Sequence, residues 1–437
     1  MAGTEPRLEV QALEVPKRDL KLTHHIFRYP AKFHPPVVRA LLEKYTRPGQ
    51  VVLDPFVGSG TSLVECAVMG RGSIGIDVDP VAVEVARAKT RNYDMRAVEE
   101  AFESILHEVA PLERSAEEYA SRMFSDLSDA EYSDAKTEEN LWIPEIPRLH
   151  HWFRRYVLID LARILAVIES TEMDERVRSL SRVAFAAIIR NSSNADPVPV
   201  SGLEYTSHMK RKDEAGRYIN PFALLRSSFK KCLSATAEYR RQLPIEAPEP
   251  VVLQGNAMDF RVGEEVDMVL TSPPYHNAVD YYRRHQLEMF WLGHTLNQDD
   301  RLELLPRYIG RPHVAAKDPL LKRDWSPGEI VGEWEEKMRV ENPSRAADFR
   351  HYVTAMSSAF QRLSETLSVG SKALFVVGHS RWKGQEIPTG DIYEEISSDS
   401  FSLKEKLSYP IANRYMSYSR HNSASIDEEY VLVMQRR

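Results

Sequence analysis

The stretch that decides the fold is Val51-Val52-Leu53-Asp54-Pro55-Phe56-Val57-Gly58-Ser59-Gly60-Thr61. Its first three residues form a short apolar run rich in β-branched side chains, which predicts a strand that ends at Asp54. The glycines predict a tight turn, and Thr61 is a candidate N-cap for a helix over residues 62–69, with Gly70 as its C-cap. A strand, a glycine turn and a helix in this order are typical of α/β folds.

The same pattern recurs directly downstream. Residues 73–76 predict a second strand that ends at Asp77, and residues 80–90 predict a second helix with proline at its start. Four further strand candidates lie at residues 251–254, 266–271, 373–377 and 430–434. Because successive strand–helix–strand units build parallel sheets, the sequence predicts an α/β protein with a mostly parallel sheet.

Two long stretches do not fit a minimal sheet. Residues 93–250 are mostly helical in pattern, and residues 294–350 are rich in proline, glycine and charge. We interpret both as insertions at the loop edge of one α/β core, where such folds carry recognition elements. The core itself is then divided into residues 1–92, 251–293 and 351–437.

Composition excludes several classes of protein. The chain has 437 residues, 43% hydrophobic and 28% charged, so disordered, collagen-like and coiled-coil chains are excluded. The longest apolar run, residues 183–189, is far shorter than the roughly 20 residues of a membrane helix. The polar N-terminus shows no secretory signal, and only two cysteines, Cys66 and Cys232, predict a reducing, cytoplasmic compartment. A net charge of −7 argues against a chain that is basic throughout but permits a local basic cleft.

The glycine turn and two strand-end aspartates indicate a nucleoside site. Such a turn lets a ligand approach backbone N–H groups at a helix N-terminus, although a short Gly-x-Gly also fits an ordinary tight turn. No Gly-Lys-Ser or Gly-Lys-Thr follows, which argues against a nucleotide-triphosphate loop. A carboxylate at Asp54 suits a cationic group better than a phosphate. Asp77 follows 23 residues later, close to the spacing at which α/β nucleotide sites place an acid on ribose hydroxyls.

The third constellation is Thr271-Ser272-Pro273-Pro274-Tyr275, at the end of a strand candidate. Two adjacent prolines force an extended, rigid turn without backbone donors. The turn therefore presents the Ser272 hydroxyl, the prolyl carbonyls and the Tyr275 ring in fixed positions. Hydrogen-bond acceptors beside an aromatic face suit a flat group that carries an amine.

These three segments together resemble the S-adenosylmethionine-dependent DNA amino-methyltransferases. Residues 54–61 look like the cofactor motif of that family, and residues 75–77 look like its ribose-binding acid. Residues 272–275 look like its catalytic motif, in which Ser, Asp or Asn precedes Pro-Pro-Tyr. Shorter similarities follow in family order at residues 29–36, 254–259 and 428–433. In many Ser-Pro-Pro-Tyr enzymes the catalytic motif comes first, so no target-recognition region is transferred by position.

The resemblance implies a Rossmann-like class I methyltransferase with a mostly parallel, seven-stranded sheet, a large helical insertion and S-adenosylmethionine at the carboxyl ends of the strands. By position, Asp54 and Phe56 would contact the methionine part, and Asp77 the ribose. Asn256 or Asp259 would lie at the adenine, and the segment before the glycine turn would close over the methionine end. The implied cofactor-binding residues are Tyr29, Lys32, Phe33, Asp54, Pro55, Phe56, Gly58, Gly60, Thr61, Asp77, Asn256 and Asp259.

The same resemblance implies the reaction. The target base would be flipped onto Tyr275, because its exocyclic amine cannot be reached while the base is stacked. Ser272 and the Pro273 carbonyl would accept hydrogen bonds from that amine during direct displacement, without a covalent enzyme–base intermediate. The implied catalytic residues are Ser272, Pro273, Pro274 and Tyr275. Family members with serine at the first position mostly methylate cytosine N4, so Ser272 favours N4-cytosine over N6-adenine.

Other patterns bear on the substrate. C5-cytosine methylation needs a cysteine after a proline, and neither Cys66 nor Cys232 follows one, so that reaction is rejected. Aromatic residues interleaved with arginines after the catalytic motif suit a nucleic-acid strand. The predicted DNA-binding residues are Asn277, Tyr281, Arg283 and Arg284. Fourteen histidines show no metal-binding spacing, so no metal is expected.

The sequence therefore predicts a site-specific methyltransferase of double-stranded DNA. N4-cytosine is the first expected target and N6-adenine the second, and a cognate restriction endonuclease is a candidate partner. One alternative is a methyltransferase for another amine, in a tRNA or a protein, although such relatives usually carry Asp or Asn at the position of Ser272. Another is a binding or regulatory protein with a relic cofactor pocket, which would predict a broken motif.

Overall fold

The computed structural model describes residues 9–15, 21–30, 32–197, 202–276, 280–411 and 428–437. The strands are β1 (Val10–Ala12), β2 (Val51–Asp54), β3 (Gly72–Asp77), β4 (Val251–Gln254), β5 (Val266–Thr271), β6 (Leu367–Val377), β7 (Ser380–Trp382), β8 (Gln385–Ile387), β9 (Phe401–Pro410) and β10 (Glu428–Arg436). The helices in the first half are α1 (Pro35–Tyr45), α2 (Thr61–Val68), α3 (Pro80–Thr90), α4 (Met95–Val109), α5 (Ala116–Ser121), α6 (Asp129–Glu138), α7 (Leu149–Trp152), α8 (Arg155–Ser170) and α9 (Glu175–Ser192). The later helices are α10 (Ser207–Glu214), α11 (Pro221–Gln242), α12 (Tyr281–Trp291), α13 (Gln298–Leu304), α14 (Glu329–Glu341), α15 (Pro343–Thr366) and α16 (Thr389–Ser397). Short 3-10 helices lie at Ala110–Leu112, Leu305–Arg307 and Pro319–Lys322.

Eight of these strands form one sheet in the order β1-β9-β10-β6-β5-β2-β3-β4. Strand β10 runs antiparallel to both of its neighbours, and the other neighbouring strands are parallel. Strands β7 and β8 form a separate hairpin. The arrangement is the mostly parallel, Rossmann-like α/β fold that the sequence predicts.

Both faces of the sheet are buried, which explains why its central strands are continuous apolar runs. In β5, Met268 and Leu270 pack in one cluster with Leu41 of α1. Val269, which points to the opposite face, packs in another cluster with Phe349 of α15. A strand covered by helices on both sides shows no polar alternation in its sequence.

The chain changes direction across the sheet between β2 and β5, which are neighbours. From β2 it continues to β3 and β4 on one side, and from β5 it continues to β6 on the other. In open parallel sheets, ligands bind at such a switch point, outside the carboxyl ends of the strands. Asp54, Asp77 and Ser272 stand at the ends of three of these strands, so they converge on one edge.

The sheet has eight described strands rather than the seven expected. The short strand β1 pairs with the β9 edge and adds the extra strand. The strand candidates also omit β9, because Lys404, Glu405 and Lys406 interrupt its apolar pattern. The predicted bounds agree with those of β4, β5 and α3, whereas β6 and β10 extend beyond theirs.

The helices between β3 and β4 pack directly against the rest of the core. Phe102 of α4 and Phe229 of α11 stack with ring centroids 3.9 Å apart. The same cluster of buried side chains contains Val85 of α3 and Trp291 of α12. The helical stretch therefore shares one core with α3, which follows Asp77, and with α12, which follows the catalytic turn. Its limits at residues 93–250 stay a prediction. In the described part of the chain, no helix has both the length and the apolar character to cross a membrane.

Candidate active site

One cleft opens at the carboxyl ends of the central strands and encloses about 800 Å³ up to its open mouth. The predicted site residues that line it are Tyr29, Lys32, Phe33, Asp54, Pro55, Phe56, Gly58, Thr61, Asp77, Asn256, Ser272, Pro274 and Tyr281. The other lining residues are Val57, Ser59, Ser62, Val78, Ala257, Arg307, Tyr308 and Ile309.

Asp54 ends β2 and is almost fully buried. Its Oδ1 accepts hydrogen bonds from the N–H of Phe56 (3.1 Å) and from the Thr271 hydroxyl (2.6 Å). Its Oδ2 accepts one from the Ser62 hydroxyl. Burial raises the pKa of Asp54 to about 6, although these hydrogen bonds act to lower it. Asp54 therefore ties the glycine turn, α2 and β5 together at the wall of the cleft.

Asp77 ends β3 and is partly exposed to the cleft. Its Oδ2 accepts a hydrogen bond from the N–H of Gly58 (2.8 Å), and its Oδ1 accepts one from the N–H of Asp79 (2.9 Å). Burial, and secondly the neighbouring Asp79 carboxylate, raise the pKa of Asp77 to about 7. Each carboxylate oxygen keeps a further lone pair, so Asp77 can still accept hydrogen bonds from ligand hydroxyls.

The turn between β2 and α2 requires glycine at two positions. Gly58 has φ 48° and faces the Tyr29 ring, where an added Cβ would lie 3.1 Å away. Gly60 has φ 77° and would place a Cβ 3.0 Å from the Cβ of Ala86. Because Gly60 takes the left-handed conformation and serves as N-cap, α2 begins at Thr61, and the predicted N-cap is wrong by one residue.

Aromatic side chains from the N-terminal segment and from α12 form another part of the wall. The Tyr29 ring stacks on Tyr281 with centroids 6.0 Å apart, and its centroid lies 4.9 Å from that of His285. Lys32 and Phe33 line the cleft from the same N-terminal segment as Tyr29. The segment predicted to close over the cofactor thus lies at the cleft, next to Gly58.

The catalytic turn contributes two of its four predicted residues to the lining. Ser272 and Pro274 line the cleft, whereas Pro273 is buried. Tyr275 is partly exposed and does not line the cleft. The Tyr275 ring packs against the cluster of buried side chains around β5, β6 and α15. The serine hydroxyl is therefore the polar side-chain group that this turn presents to the cleft.

Distant parts of the chain hold the catalytic turn in place. The Tyr275 hydroxyl donates to Glu429 Oε1 of β10 (3.1 Å), across 154 residues. The Tyr352 hydroxyl of α15 donates to the Pro274 carbonyl (3.1 Å). Burial, followed by the charge of Glu429, raises the pKa of Tyr275 well above its ordinary value, so this phenol stays protonated.

A hydrogen bond joins the two halves of the site. Thr271 ends β5 beside β2, and its hydroxyl donates to Asp54 (2.6 Å) across 217 residues. The next residue, Ser272, opens onto the same cleft as Gly58 and Asp77. The glycine turn and the twin-proline turn therefore face one shared space.

The two candidates for an adenine contact have different surroundings. Asn256 lines the cleft after β4, whereas Asp259 is exposed and does not line it. The Asn256 Oδ1 accepts a hydrogen bond from the N–H of Met258 (3.0 Å), and the N–H of Gly255 donates to the Asp77 carbonyl (2.9 Å). The geometry favours Asn256.

The residues predicted to contact DNA do not form one group. Asn277 lies outside the described residues, and Tyr281 lines the cleft. Arg283 is exposed and donates to the Leu203 carbonyl (3.2 Å). Arg284 is only 3% exposed, so it is a core residue rather than the predicted phosphate contact. Adjacent residues of a helix point in different directions, and α12 turns Arg284 inward.

The sequence prediction missed residues that reach the cleft from the loop-rich segment 294–350. Arg307, Tyr308 and Ile309 line the cleft, and the following Gly310 contacts the catalytic turn. The local sequence signal was an aromatic residue, Tyr308, followed closely by Gly310. This pattern also occurs in ordinary loops, so it did not identify a cleft residue.

The lining fits S-adenosylmethionine, the cofactor that the resemblance implies. Within the described ranges, two buried hydroxyls that line the cleft, those of Thr61 and Tyr308, have no hydrogen-bond partner. Buried hydroxyls are rarely left unpaired, and polar groups of a ligand would pair them. The carboxylates of Asp54 and Asp77 supply negative charge that suits a sulfonium and acceptors that suit a ribose.

Comparisons with known proteins find a family model and several relatives similar to this chain. A family model described as DNA methylase matches residues 10–88, which include the N-terminal segment, the glycine turn and Asp77. The type II methyltransferase M.MjaII of Methanocaldococcus jannaschii is 22% identical over 367 residues, covering 69% of this chain and 68% of that protein.

Two further relatives match most of the chain. The type II methyltransferase M.BsoBI of Geobacillus stearothermophilus is 23% identical over 414 residues, covering 86% of this chain and 78% of that protein. The type II methyltransferase M.MvaI of Kocuria varians is 24% identical over 406 residues, covering 86% of this chain and 81% of that protein. With the three motifs gathered at one cleft, these matches support the DNA amino-methyltransferase family of the N4/N6 group for this chain.

Proposed function

We propose that the chain transfers a methyl group from S-adenosylmethionine to the exocyclic N4 amine of cytosine in double-stranded DNA. The observation that carries the proposal is the shared cleft, which Ser272 lines together with Gly58 and Asp77. A donor held at the glycine turn and a base held at the proline turn would meet there in the alignment that direct displacement requires.

The catalytic turn provides acceptors for the reacting amine. Positive charge develops on the nitrogen as its lone pair forms the new bond to carbon, and the amine then loses a proton to solvent. Ser272 and the Pro273 carbonyl would accept hydrogen bonds from the amine and stabilise that charge. Two prolines and the hydrogen bond from Tyr352 to Pro274 fix the turn beforehand. Bound S-adenosylmethionine supplies the methyl group on a sulfur that leaves as a neutral thioether.

Tyr275 would hold the flipped base. Its hydroxyl is fixed by Glu429, so the orientation of the ring is set by β10. Aromatic rings give flat bases a stacking surface that depends little on base identity. Tyr275 therefore supports base flipping in general, and the preference for cytosine rests on Ser272, with N6-adenine as the alternative.

The type II names of three relatives support a role in restriction and modification, with a cognate endonuclease as the proposed partner. The site of action would be DNA in the cytoplasm. Arg283 is exposed on α12 next to the catalytic turn, where it could be reached by a phosphate. We keep Arg283 and Tyr281 as the proposed DNA-contacting residues among those described.

Incubation with labelled S-adenosylmethionine and unmethylated DNA, followed by mass spectrometry of nucleosides, tests the proposal. We expect N4-methylcytosine. Detection of N6-methyladenine instead would change the assigned target base from cytosine to adenine. No methylated nucleoside from DNA of varied sequence would overturn the function. Ser272→Ala should lower turnover at least about 100-fold, whereas Ser227→Ala, on an exposed position of α11, should leave it unchanged.

The same assay with tRNA in place of DNA tests the RNA alternative. Retention on each nucleic acid at increasing salt adds an independent measure, because phosphate contacts weaken steeply as salt rises. Methylated tRNA without methylated DNA would favour the alternative.

A further inference from the structure

A short segment of the 294–350 insertion is built into the cleft. The 3-10 helix Leu305–Arg307 ends beside it, and the N–H of Tyr308 donates to the Leu305 carbonyl (3.2 Å). Gly310 has φ 79° and approaches the Tyr275 carbonyl so closely that an added Cβ would lie 3.2 Å away. The segment is thus fixed between the cleft and the catalytic turn.

The Tyr308 side chain lines the cleft but is only 6% exposed. In the part of the chain that the structure describes, its hydroxyl is shielded from solvent and meets no hydrogen-bond partner. Leaving a buried hydroxyl unpaired is unfavourable, and native proteins rarely do so. A ligand in the cleft would give this hydroxyl the partner that the protein does not.

The surroundings of Tyr308 identify the end of the cleft at which it lies. Its ring packs edge to face on Tyr282 of α12, with centroids 6.1 Å apart. Burial, and then the charges of Asp79 and Asp77, raise the pKa of Tyr308 well above its ordinary value. The phenol therefore stays protonated and can donate, and it lines the same cleft as Asp77.

We propose that the Tyr308 hydroxyl donates a hydrogen bond to the nucleoside part of bound S-adenosylmethionine. The loop-rich insertion at residues 294–350 would thereby take part in cofactor binding. The inference rests on the cofactor of the proposed function and is independent of which base is methylated.

Calorimetric titration of the full chain with S-adenosylmethionine, S-adenosylhomocysteine and 5′-methylthioadenosine tests the inference. The variant Tyr308→Phe removes one oxygen and keeps the ring, and we expect its Kd for all three ligands to rise roughly 3- to 10-fold. The matched control is Tyr282→Phe, whose ring touches Tyr308 but does not line the cleft. Its affinities should equal those of the unmodified chain.

Thermal unfolding of the ligand-free variants separates a binding role from a structural one. Tyr308→Phe removes an unpaired buried hydroxyl, so its Tm without ligand should be equal or higher, while the Tm gain with ligand should shrink. Equal affinity of Tyr308→Phe and the unmodified chain would overturn the inference and leave the proposed function intact.

Two further outcomes would contradict the inference or the proposed function. A loss of affinity for S-adenosylmethionine without a loss for 5′-methylthioadenosine would move the contact to the methionine end and contradict the assignment to the nucleoside. Failure of the unmodified chain to bind any of the three ligands would instead remove the proposed function itself.

Discussion

The two halves of the site are held in place in different ways. Around the glycine turn, Asp54 accepts a hydrogen bond from a backbone N–H two residues away, and Asp77 accepts from Gly58, 19 residues away. Around the catalytic turn, the partners are distant: Thr271 reaches Asp54 across 217 residues, and Tyr275 reaches Glu429 across 154.

The difference predicts that the proposed cofactor-binding half and the proposed catalytic half depend on different parts of the chain. A half built by local contacts keeps its shape wherever its strand–turn–helix unit forms. A half built by distant contacts keeps its shape only when β5, β10 and α15 are all in place. Substitutions can therefore separate cofactor affinity from turnover.

The largest effect should come from Tyr275→Ala in the catalytic half. Loss of the stacking ring should lower kcat/KM for DNA by about 100- to 1,000-fold, because the base is no longer held in line. The Kd for S-adenosylmethionine should stay within about threefold of normal. Steady-state kinetics with calorimetry measures both, and Tyr275→Phe, which keeps the ring and loses only the contact with Glu429, should lower activity by no more than about 3- to 10-fold. If Tyr275→Ala weakened S-adenosylmethionine binding as strongly as it lowers kcat/KM, the two halves of the site would not act separately.

Asp77→Ala should have the opposite profile. Hydrogen bonds to a charged acceptor contribute about 1.5–3 kcal/mol, so the Kd for S-adenosylmethionine should rise about 10- to 100-fold. At saturating cofactor, kcat should change little, because Asp77 is held apart from the catalytic turn. Asp134→Ala, at an exposed position of α6, is the control and should change neither quantity. A large fall in kcat with normal Kd would contradict the assignment.

The pH dependence of the cofactor half has a defined sign. Burial raises the pKa of Asp77 to about 7 and that of Asp54 to about 6. The folded state thus binds these protons more tightly than the unfolded state, and the free energy of unfolding contributed by these groups is greatest below about pH 4 and falls toward pH 7. A cationic ligand favours the ionised carboxylates. The affinity for S-adenosylmethionine should therefore rise as the pH rises toward about 7.

Calorimetry between pH 5 and 9 measures this effect. The Kd for S-adenosylmethionine should fall as pH rises toward about 7, by at most tenfold per unit for one group, and then level off. The step near pH 7 should disappear in Asp77→Asn. A flat profile for the unmodified chain would show that these carboxylates do not sense the ligand charge.

The smallest effect should come from Glu429→Gln. Glu429 accepts hydrogen bonds from both Tyr275 and Tyr409, and an amide keeps only one acceptor oxygen for them. We expect kcat to fall about 3- to 10-fold with unchanged cofactor affinity. Glu428→Gln is a close control, since Glu428 accepts from Tyr430 at the surface (3.0 Å) and does not reach the catalytic turn. Combined with Tyr275→Phe, Glu429→Gln should add little, because both changes remove the same contact.

Local patterns predicted the central strands and the glycine turn well. The bounds of α3, β4 and β5 agree because a proline start, β-branched runs and turn residues act over a few positions. The same reasoning overlooked β1 and β9, whose formation depends on pairing at the sheet edge rather than on an apolar run. It also failed for Arg284, because the sequence does not show which face of α12 turns inward.

By itself, the sequence determined the elements of the cofactor half and the chemistry of both turns, because capping, glycine conformation and adjacent prolines act locally. Only the tertiary structure decided that Thr271 joins the two halves, that Asn256 rather than Asp259 reaches the cleft, and that Tyr308 enters it from a distant insertion. Such contacts join residues far apart in the chain. They form when the packing of several elements is satisfied at once, and no short stretch of sequence contains that information.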